Sequence, residues 1–202
     1  MQEGQVTVGG ASRPLPRPFL VLATENPVEQ EGTFPLPEAQ LDRFFLRTAL
    51  GYPDAAVEHA IVDAQRHGHP LDRLQPVVSL TDLDVAAAAV EEVYADPLLV
   101  AWAVALVRAT RELPGVALGA SVRASLALER AARAWALLRG RDHVVPEDIE
   151  ALFLPVVAHR VLWSPGLLVE LRRDGVSARQ RLSELAFAAA PRPSQAGVAG
   201  GP

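Results

Sequence analysis

The sequence contains neither cysteine nor lysine, and each absence excludes a class of chemistry. Without cysteine the chain forms no disulfide, no Cys-ligated zinc site and no thiol nucleophile. A cysteine-free composition suits a reducing compartment, so we expect a cytoplasmic protein. All 19 basic residues are arginine, which excludes any mechanism that needs a lysine of this chain, such as a P-loop phosphate ligand or a Schiff base.

Long apolar runs and blocks of like charge are also scarce. The longest apolar run, PLLVAWAVALV at residues 97–107, is too short to cross a bilayer, so we expect a core helix and no membrane span. The N-terminus lacks the charged and apolar regions of a secretory signal. Net charge is −5 without a run of one sign, which argues against nucleic acid as a partner.

The first quarter of the chain has a β-type pattern. QVTV at residues 5–8, followed by two glycines, predicts one arm of a hairpin. The apolar runs at residues 19–23 and 44–50 predict two strands, the first of them buried. So few strands are too small to be a finished sheet domain. Residues 1–50 are therefore interpreted as an α/β remnant, the end of a larger sheet.

From residue 51 onward the pattern is almost wholly helical. Helices are predicted over residues 54–65, 81–90, 97–112, 121–138, 146–157 and 177–189. Thr81 and Ser121 are the expected N-caps of the second and fourth of these helices. The expected organisation is an all-α bundle over residues 51–165, a C-terminal helical extension over 166–190, and a disordered tail over 191–202.

Asn26 lies just beyond the end of the predicted strand at residues 19–23, in the stretch ATENPVEQEGTFPLPEAQLDRFFL. An amide at the carboxyl end of such a strand can hydrogen-bond a γ-phosphate or orient an attacking water. Asn-Pro also starts turns, and taken alone this is the stronger explanation.

Arg43 lies in the sequence LDRFF, after a predicted helical turn and before a predicted strand. An arginine fixed at a domain edge can neutralise charge on a phosphoryl group bound by a neighbouring subunit. The alternative is a surface charge pair with Asp42, which would contribute little.

Arg123 follows the predicted cap of the fourth helix, where the helix dipole favours anions. An arginine there would strengthen phosphate binding, but it opposes the dipole and needs a reason to be there. The alternative is an exposed, solubilising side chain. No metal site is expected, because His67 and His69 have no third ligand at a supportive spacing.

Taken together and in order, several segments resemble the MoxR group of AAA+ ATPases. They are LATENPVEQEGTFPLPEAQLDRF, GYPD, LVRATRELPGVALGASVRASLALERAARAWALLRGRDHVVPEDI and VVAHR. The resemblance covers residues 3–162. It implies the C-terminal part of a P-loop core sheet over residues 1–50 and a helical lid domain over residues 51–165.

The resemblance also implies roles for the three polar residues. Asn26 matches the sensor-1 asparagine, Arg43 the arginine finger that reaches a neighbour's nucleotide, and Arg123 the sensor-2 arginine of the lid. The family implies ATP with magnesium, a homo-oligomeric hexameric ring and the remodelling of a client protein. Val122 stands where the family has proline, which loosens the helix start without removing the arginine.

The larger departure from the family is the missing phosphate cradle. The sequence has no G-x-x-x-x-G-K-[ST] loop and no apolar run ending in Asp-Glu to hold magnesium. In the family both motifs lie upstream of the matched region, so we expect a truncated AAA+ module that does not hydrolyse ATP alone. The alternative is a non-catalytic helical interaction module derived from an AAA+ lid.

Overall fold

The structure is a computed structural model that describes residues 4–25, 36–66 and 68–194. Its strands are β1 (Gln5–Val8), β2 (Ala11–Pro14), β3 (Val116–Leu118) and β4 (Leu162–Trp163). Its α-helices are α1 (Glu38–Leu41), α2 (Ala55–Gln65), α3 (Leu80–Glu92), α4 (Pro97–Ala109), α5 (Val122–Leu138), α6 (Pro146–Val157), α7 (Pro165–Arg173) and α8 (Ala178–Ala189). Short 3-10 turns occupy Pro70–Arg73 and Ala158–Arg160.

The hairpin predicted near the N-terminus is confirmed. Strands β1 and β2 pair antiparallel, with Val8 opposite Ala11. The turn residues Gly9 and Gly10 have φ of 58° and 81°, a left-handed conformation that glycine adopts without a steric penalty. Both strands are exposed along their whole length, so the hairpin projects from the molecule.

The two strands predicted at residues 19–23 and 44–50 are wrong. Both segments lack regular secondary structure, and Leu22 and Leu50 are among their exposed apolar side chains. A strand needs a neighbour for its backbone N–H and C=O groups. The sheets of the described residues are the pairs β1–β2 and β3–β4. Residues 19–23 and 44–50 belong to neither pair.

The hydrophobic core lies in the helical part of the chain, where α5 packs against α4 and α6, and α8 packs against α4 and α6. The largest fully buried apolar side chains include Leu106, Leu128, Phe153 and Leu182. Each such side chain contributes about 1.5–3 kcal/mol by leaving water. The Phe153 ring also meets Phe187 edge-on, with centroids 5.2 Å apart.

Helix α5 owes its close packing to alanine. Ala124, Ala127, Ala131 and Ala132 are buried along its inner face, and side chains this small let neighbouring helices approach. Ser121 caps the helix as predicted, since its Oγ accepts the Arg123 N–H at 3.2 Å. The helix thereby presents its first turn, and Arg123 with it, beside residues 42–45.

The N-cap prediction for α3 is wrong by two residues. Ser79, and not Thr81, caps this helix, and its Oγ accepts the Asp82 N–H at 3.1 Å. The Asp82 carboxylate accepts the Ser79 N–H at 2.8 Å in return, which completes a capping box. The serine was missed because the helix begins at Leu80, just before the alanine-rich stretch that carries the helical pattern.

Helix α6 has the predicted inner face, with Ile149, Leu152, Phe153, Val156 and Val157 buried. At its start, the buried Asp148 carboxylate accepts two hydrogen bonds from the Arg141 guanidinium, at 2.6 and 2.8 Å. This ion pair fastens the loop between α5 and α6 onto the bundle.

Helices α2 and α3 contribute no residue to the buried core. The sequence pattern did not predict β3 or β4, because two- and three-residue strands carry little periodicity. Helix α7 lies almost wholly within the helical extension expected over residues 166–190, although no separate helix was predicted there. Within the described ranges, no helix combines the length and apolar character needed to cross a membrane.

Candidate functional site

An open cleft of about 430 Å³ lies between residues 42–45, the end of α3 and the outer face of α5. Its lining includes five arginines and three carboxylates, and we call it the arginine cleft. The lining residues are Asp42, Arg43, Phe45, Val90, Glu91, Arg123, Leu126, Ala127, Glu129, Arg130, Arg133 and Arg160. The excess of cations makes the cleft suited to an anion.

Asp42 is the centre of the polar contacts in the cleft. Its carboxylate accepts the Ser121 hydroxyl at 2.9 and 3.0 Å, and it pairs with Arg123 Nη1 and Arg160 Nε, each at 3.3 Å. The side chain is 17% exposed. The surface pair with Arg43 considered from the sequence is not formed among the described residues. Asp42 is instead a half-buried group that joins two parts of the chain.

Arg160 anchors the segment that carries Arg43. Its side chain is 3% exposed, and its guanidinium donates to the carbonyls of Asp42 at 3.3 Å and Phe44 at 2.6 Å, as well as to the Val156 carbonyl. Burial lowers the pKa of Arg160, against the opposing effect of Asp42. Because the reference value for arginine is so high, the group stays cationic.

The position of this anchor follows from how α6 ends. The last carbonyls of a helix have no intrahelical partner and must find one elsewhere. The Pro155 carbonyl accepts the Arg47 N–H at 2.8 Å, and the Val156 carbonyl accepts the Arg160 guanidinium. Residues 42–47 are therefore docked on the C-terminal end of α6 through main-chain contacts.

His159 supports the same contact. Its Nε2–H donates to the Phe44 carbonyl at 3.2 Å. Burial lowers the pKa of His159, and the nearby Arg160 and Arg47 charges lower it further. The imidazole is thus held neutral at physiological pH, in the tautomer that donates from Nε2.

Arg123 and Arg43 are the two arginines of the cleft whose side chains have the fewest contacts with the described residues. The Arg123 side chain is 54% exposed and pairs only with Asp42 within the described ranges. Asp42 is also the reason that an arginine is tolerated in the first turn of α5, because its charge offsets the unfavourable dipole. Arg43 is exposed and forms no side-chain ion pair with any described residue.

The other arginines of the cleft are engaged with α3. Arg130 pairs with Glu91 at 2.6 Å, and Arg133 pairs with Glu129. Arg133 also donates to the Val93 carbonyl at 3.0 Å, satisfying an acceptor at the end of α3. These two arginines hold α3 against α5.

The structure thus brings Arg43 and Arg123 to one cleft, whereas Asn26 lies outside the described residues. Sequence reasoning missed Asp42 and Arg160 as site residues. The available signals were an aspartate directly before Arg43 and a basic His159-Arg160 pair at the end of an apolar helix. Among the described residues, no group of His, Asp or Glu side chains could hold a metal ion.

Two family models match the chain. The model of the ATPase family associated with various cellular activities (AAA) matches residues 1–46, and the AAA lid domain model matches residues 108–185. A crystal structure of a candidate ATPase from Cytophaga hutchinsonii superposes with a TM-score of 0.80 at 37% identity, over 91% of this chain and 57% of that one. The predicted fold class, a partial AAA+ core followed by a helical lid, is confirmed.

Curated relatives narrow the family. The chain is 42% identical to YeaC of Bacillus subtilis, over 92% of this chain and 57% of that protein. It is 40% identical to Chaperone MoxR1 of Mycobacterium tuberculosis, over 80% of this chain and 45% of that protein. The chain belongs to the MoxR family of AAA+ ATPases. It spans about half the length of the curated relatives that it matches.

Proposed function

We propose that the chain supplies the sensor and lid part of the ATP site in a MoxR-type AAA+ ATPase. In this proposal residues 1–50 belong to the ATPase core, residues 51–165 to the lid and residues 166–190 to a C-terminal extension. The whole protein uses ATP binding and hydrolysis to remodel or mature a partner protein. The name of one relative, Chaperone MoxR1, supports a chaperone-like role.

The observation that carries the proposal is the meeting of Arg43 and Arg123 at the arginine cleft. Along the chain, Arg43 precedes the two exposed helices α2 and α3, and Arg123 follows them. Both guanidinium groups are accessible to a ligand. Guanidinium groups bind phosphate oxygens through charge-assisted hydrogen bonds. Two accessible guanidinium groups from two family-matched segments fit contacts with nucleotide phosphates, Arg123 with ATP on the lid side and Arg43 with that of a neighbouring subunit.

Each residue has its own part in this proposal. Arg123 binds the phosphates of ATP on the lid side, as a sensor-2 arginine. Arg43 acts as the arginine finger toward a neighbouring subunit, which agrees with its exposure and its lack of an ion pair among the described residues. Asn26 acts as sensor 1. Magnesium and the β- and γ-phosphates are held by P-loop and Asp-Glu motifs, which this sequence does not contain.

A finger that acts across a subunit boundary requires an oligomer. We therefore propose a homo-oligomeric, hexameric ring that works in the cytoplasm, without nucleic acid as a partner. The net charge of −5, without a basic patch in the sequence pattern, agrees with a protein client.

The test replaces Arg43 in a version of the protein that includes the family's P-loop half. Arg43→Ala should abolish ATP turnover and leave nucleotide binding within about twofold, because a finger acts on transition-state charge rather than on binding. Arg173→Ala is the matched control, since Arg173 is also exposed and, among the described residues, pairs only with its neighbour Asp174. A similar loss of nucleotide binding in Arg43→Ala would assign Arg43 a structural role.

The chain by itself should show no magnesium-dependent ATP hydrolysis. Turnover by the purified 202-residue protein would contradict the division of the site between two parts. Normal turnover of the longer Arg43→Ala protein would remove the proposed finger role from Arg43.

A further inference from the structure

Asp42 stands between the two arginines that the proposed function assigns to phosphate. It directly precedes Arg43 in the chain, and its carboxylate holds the Arg123 guanidinium at 3.3 Å. The Asp42 carboxylate binds the same Arg123 guanidinium that a phosphate oxygen would otherwise bind. Its position therefore bears on when Arg123 is available.

We propose that Asp42 is a positioning residue that competes with phosphate for Arg123 and thereby links the state of Arg123 to the segment carrying Arg43. The inference rests on the proposed function, because it takes a polyphosphate as the ligand of the arginine cleft. Without ligand, Asp42 holds Arg123. With ligand, Arg123 turns to the phosphate and Asp42 keeps its other partners.

The contacts of Asp42 make such an exchange inexpensive. When Arg123 leaves, the carboxylate still accepts the Ser121 hydroxyl at 2.9 Å and still faces Arg160 Nε at 3.3 Å. It is therefore not left buried without a partner, which is the costly case. Arg123 is the partner free to leave, because its side chain is 54% exposed, compared with 3% for Arg160.

Arg160 and Arg123, the two arginines that pair with Asp42, thus have different roles. Arg160 is fixed by main-chain carbonyls on both sides of the contact, those of Phe44 and Val156, and does not need Asp42 to stay in place. Arg123 has no other side-chain partner within the described part of the chain. A ligand that removes Arg123 from Asp42 changes the charge beside Arg43 while the backbone of that segment stays anchored.

The test measures binding of inorganic tripolyphosphate to the 202-residue chain by calorimetry. Asp42→Asn keeps the size of the side chain and an acceptor for Ser121 but removes the charge that holds Arg123. Because an ion pair with one half-exposed partner is weak, we expect Asp42→Asn to tighten tripolyphosphate binding by about two- to fivefold. In the Arg123→Ala background the same substitution should have a smaller effect, below about 1.5-fold.

Glu91→Gln is the matched control. Glu91 also lines the arginine cleft and pairs with Arg130, so its loss reports the general effect of removing one negative charge. Its effect should be the same with and without Arg123. An equal effect of Asp42→Asn in both backgrounds would show that Asp42 acts only through net charge and would overturn the proposal.

Two further outcomes are decisive. If neither the wild-type chain nor Asp42→Asn binds tripolyphosphate, Arg123 has no phosphate to exchange for Asp42 and the proposal is overturned. If the predicted coupling is found while the longer protein keeps its ATP turnover after Arg43→Ala, the exchange at Asp42 stands and the assigned role of Arg43 fails. The two proposals are therefore tested separately.

Discussion

Apolar side chains are buried in the bundle formed by residues 93–190 but largely exposed in the part of the chain before it. In the bundle, Leu106 and Phe153 are fully buried. Before it, Leu50 is fully exposed, and Val77 is exposed almost as far. Apolar content therefore does not decide burial. A side chain is buried only where other elements of the chain can pack against it.

The exposed part nevertheless forms helices, because local signals suffice for them. Asp54 caps α2 by accepting the Val57 N–H at 2.8 Å, and Ser79 with Asp82 caps α3. Caps and helix propensity fix the backbone, but they do not provide a core. The comparison predicts that substitutions in the two regions will differ strongly in their effect on stability.

The largest difference is expected for an apolar truncation in the bundle. Phe153→Ala should lower the free energy of unfolding by about 3–5 kcal/mol, because it leaves a cavity and removes the contact with Phe187. Leu50→Ala should change it by less than about 0.5 kcal/mol. Urea denaturation of both variants measures the difference. Equal losses would mean that residue 50 is buried in solution and that the contrast between the regions is wrong.

A smaller effect is expected at the contact between the regions. Arg160→Met keeps the length of the side chain but removes the donors to Asp42, Phe44 and Val156, and it should cost about 2 kcal/mol. Hydrogen exchange at the Arg47 amide, which donates to the Pro155 carbonyl, should become faster.

Arg66→Met is the control for this substitution. Arg66 forms an exposed pair with Asp63 in α2, so its loss should leave both stability and the Arg47 amide nearly unchanged. Unchanged exchange at Arg47 in Arg160→Met would show that Arg160 does not hold the segment.

The smallest effect is a pH dependence from His159. Burial lowers the pKa of His159 in the folded chain below the ordinary value of 6.5, so the unfolded chain takes up its proton first as pH falls. Stability should therefore decrease as pH falls below about 6.5. His159→Gln should remove this part of the slope, and the difference between the two denaturation curves isolates it from carboxylates that titrate at lower pH. Parallel curves for the two proteins would contradict a buried, neutral His159.

The sequence predicted those features that depend on neighbours along the chain. The hairpin arm at residues 5–8 with its glycine turn, the Ser121 cap and the buried face of α6 all follow from local pattern, and all are confirmed. The strands at residues 19–23 and 44–50 could not be judged in this way, because a strand depends on partners that pattern does not reveal.

The candidate site likewise contains residues that the sequence predicted and residues that it did not. Residue type and family resemblance placed Arg43 and Arg123 among the candidates, and the fold brings them to one cleft. Asp42 and Arg160 were missed because their importance comes from contacts between residues far apart in the chain, and from carbonyls that any residue could offer. Pattern alone does not show which acceptors the end of a helix will find.

The Arg160 contacts have a consequence for sequence change. The guanidinium binds main-chain oxygens of Phe44, Phe45 and Val156, and these oxygens are present whatever side chain the residue carries. Positions 44 and 45 can therefore accept other residues that keep the same backbone conformation, without weakening the Arg160 contacts beside Arg43. Only the arginine itself must be retained, which makes position 160 far less tolerant of substitution than the residues it holds.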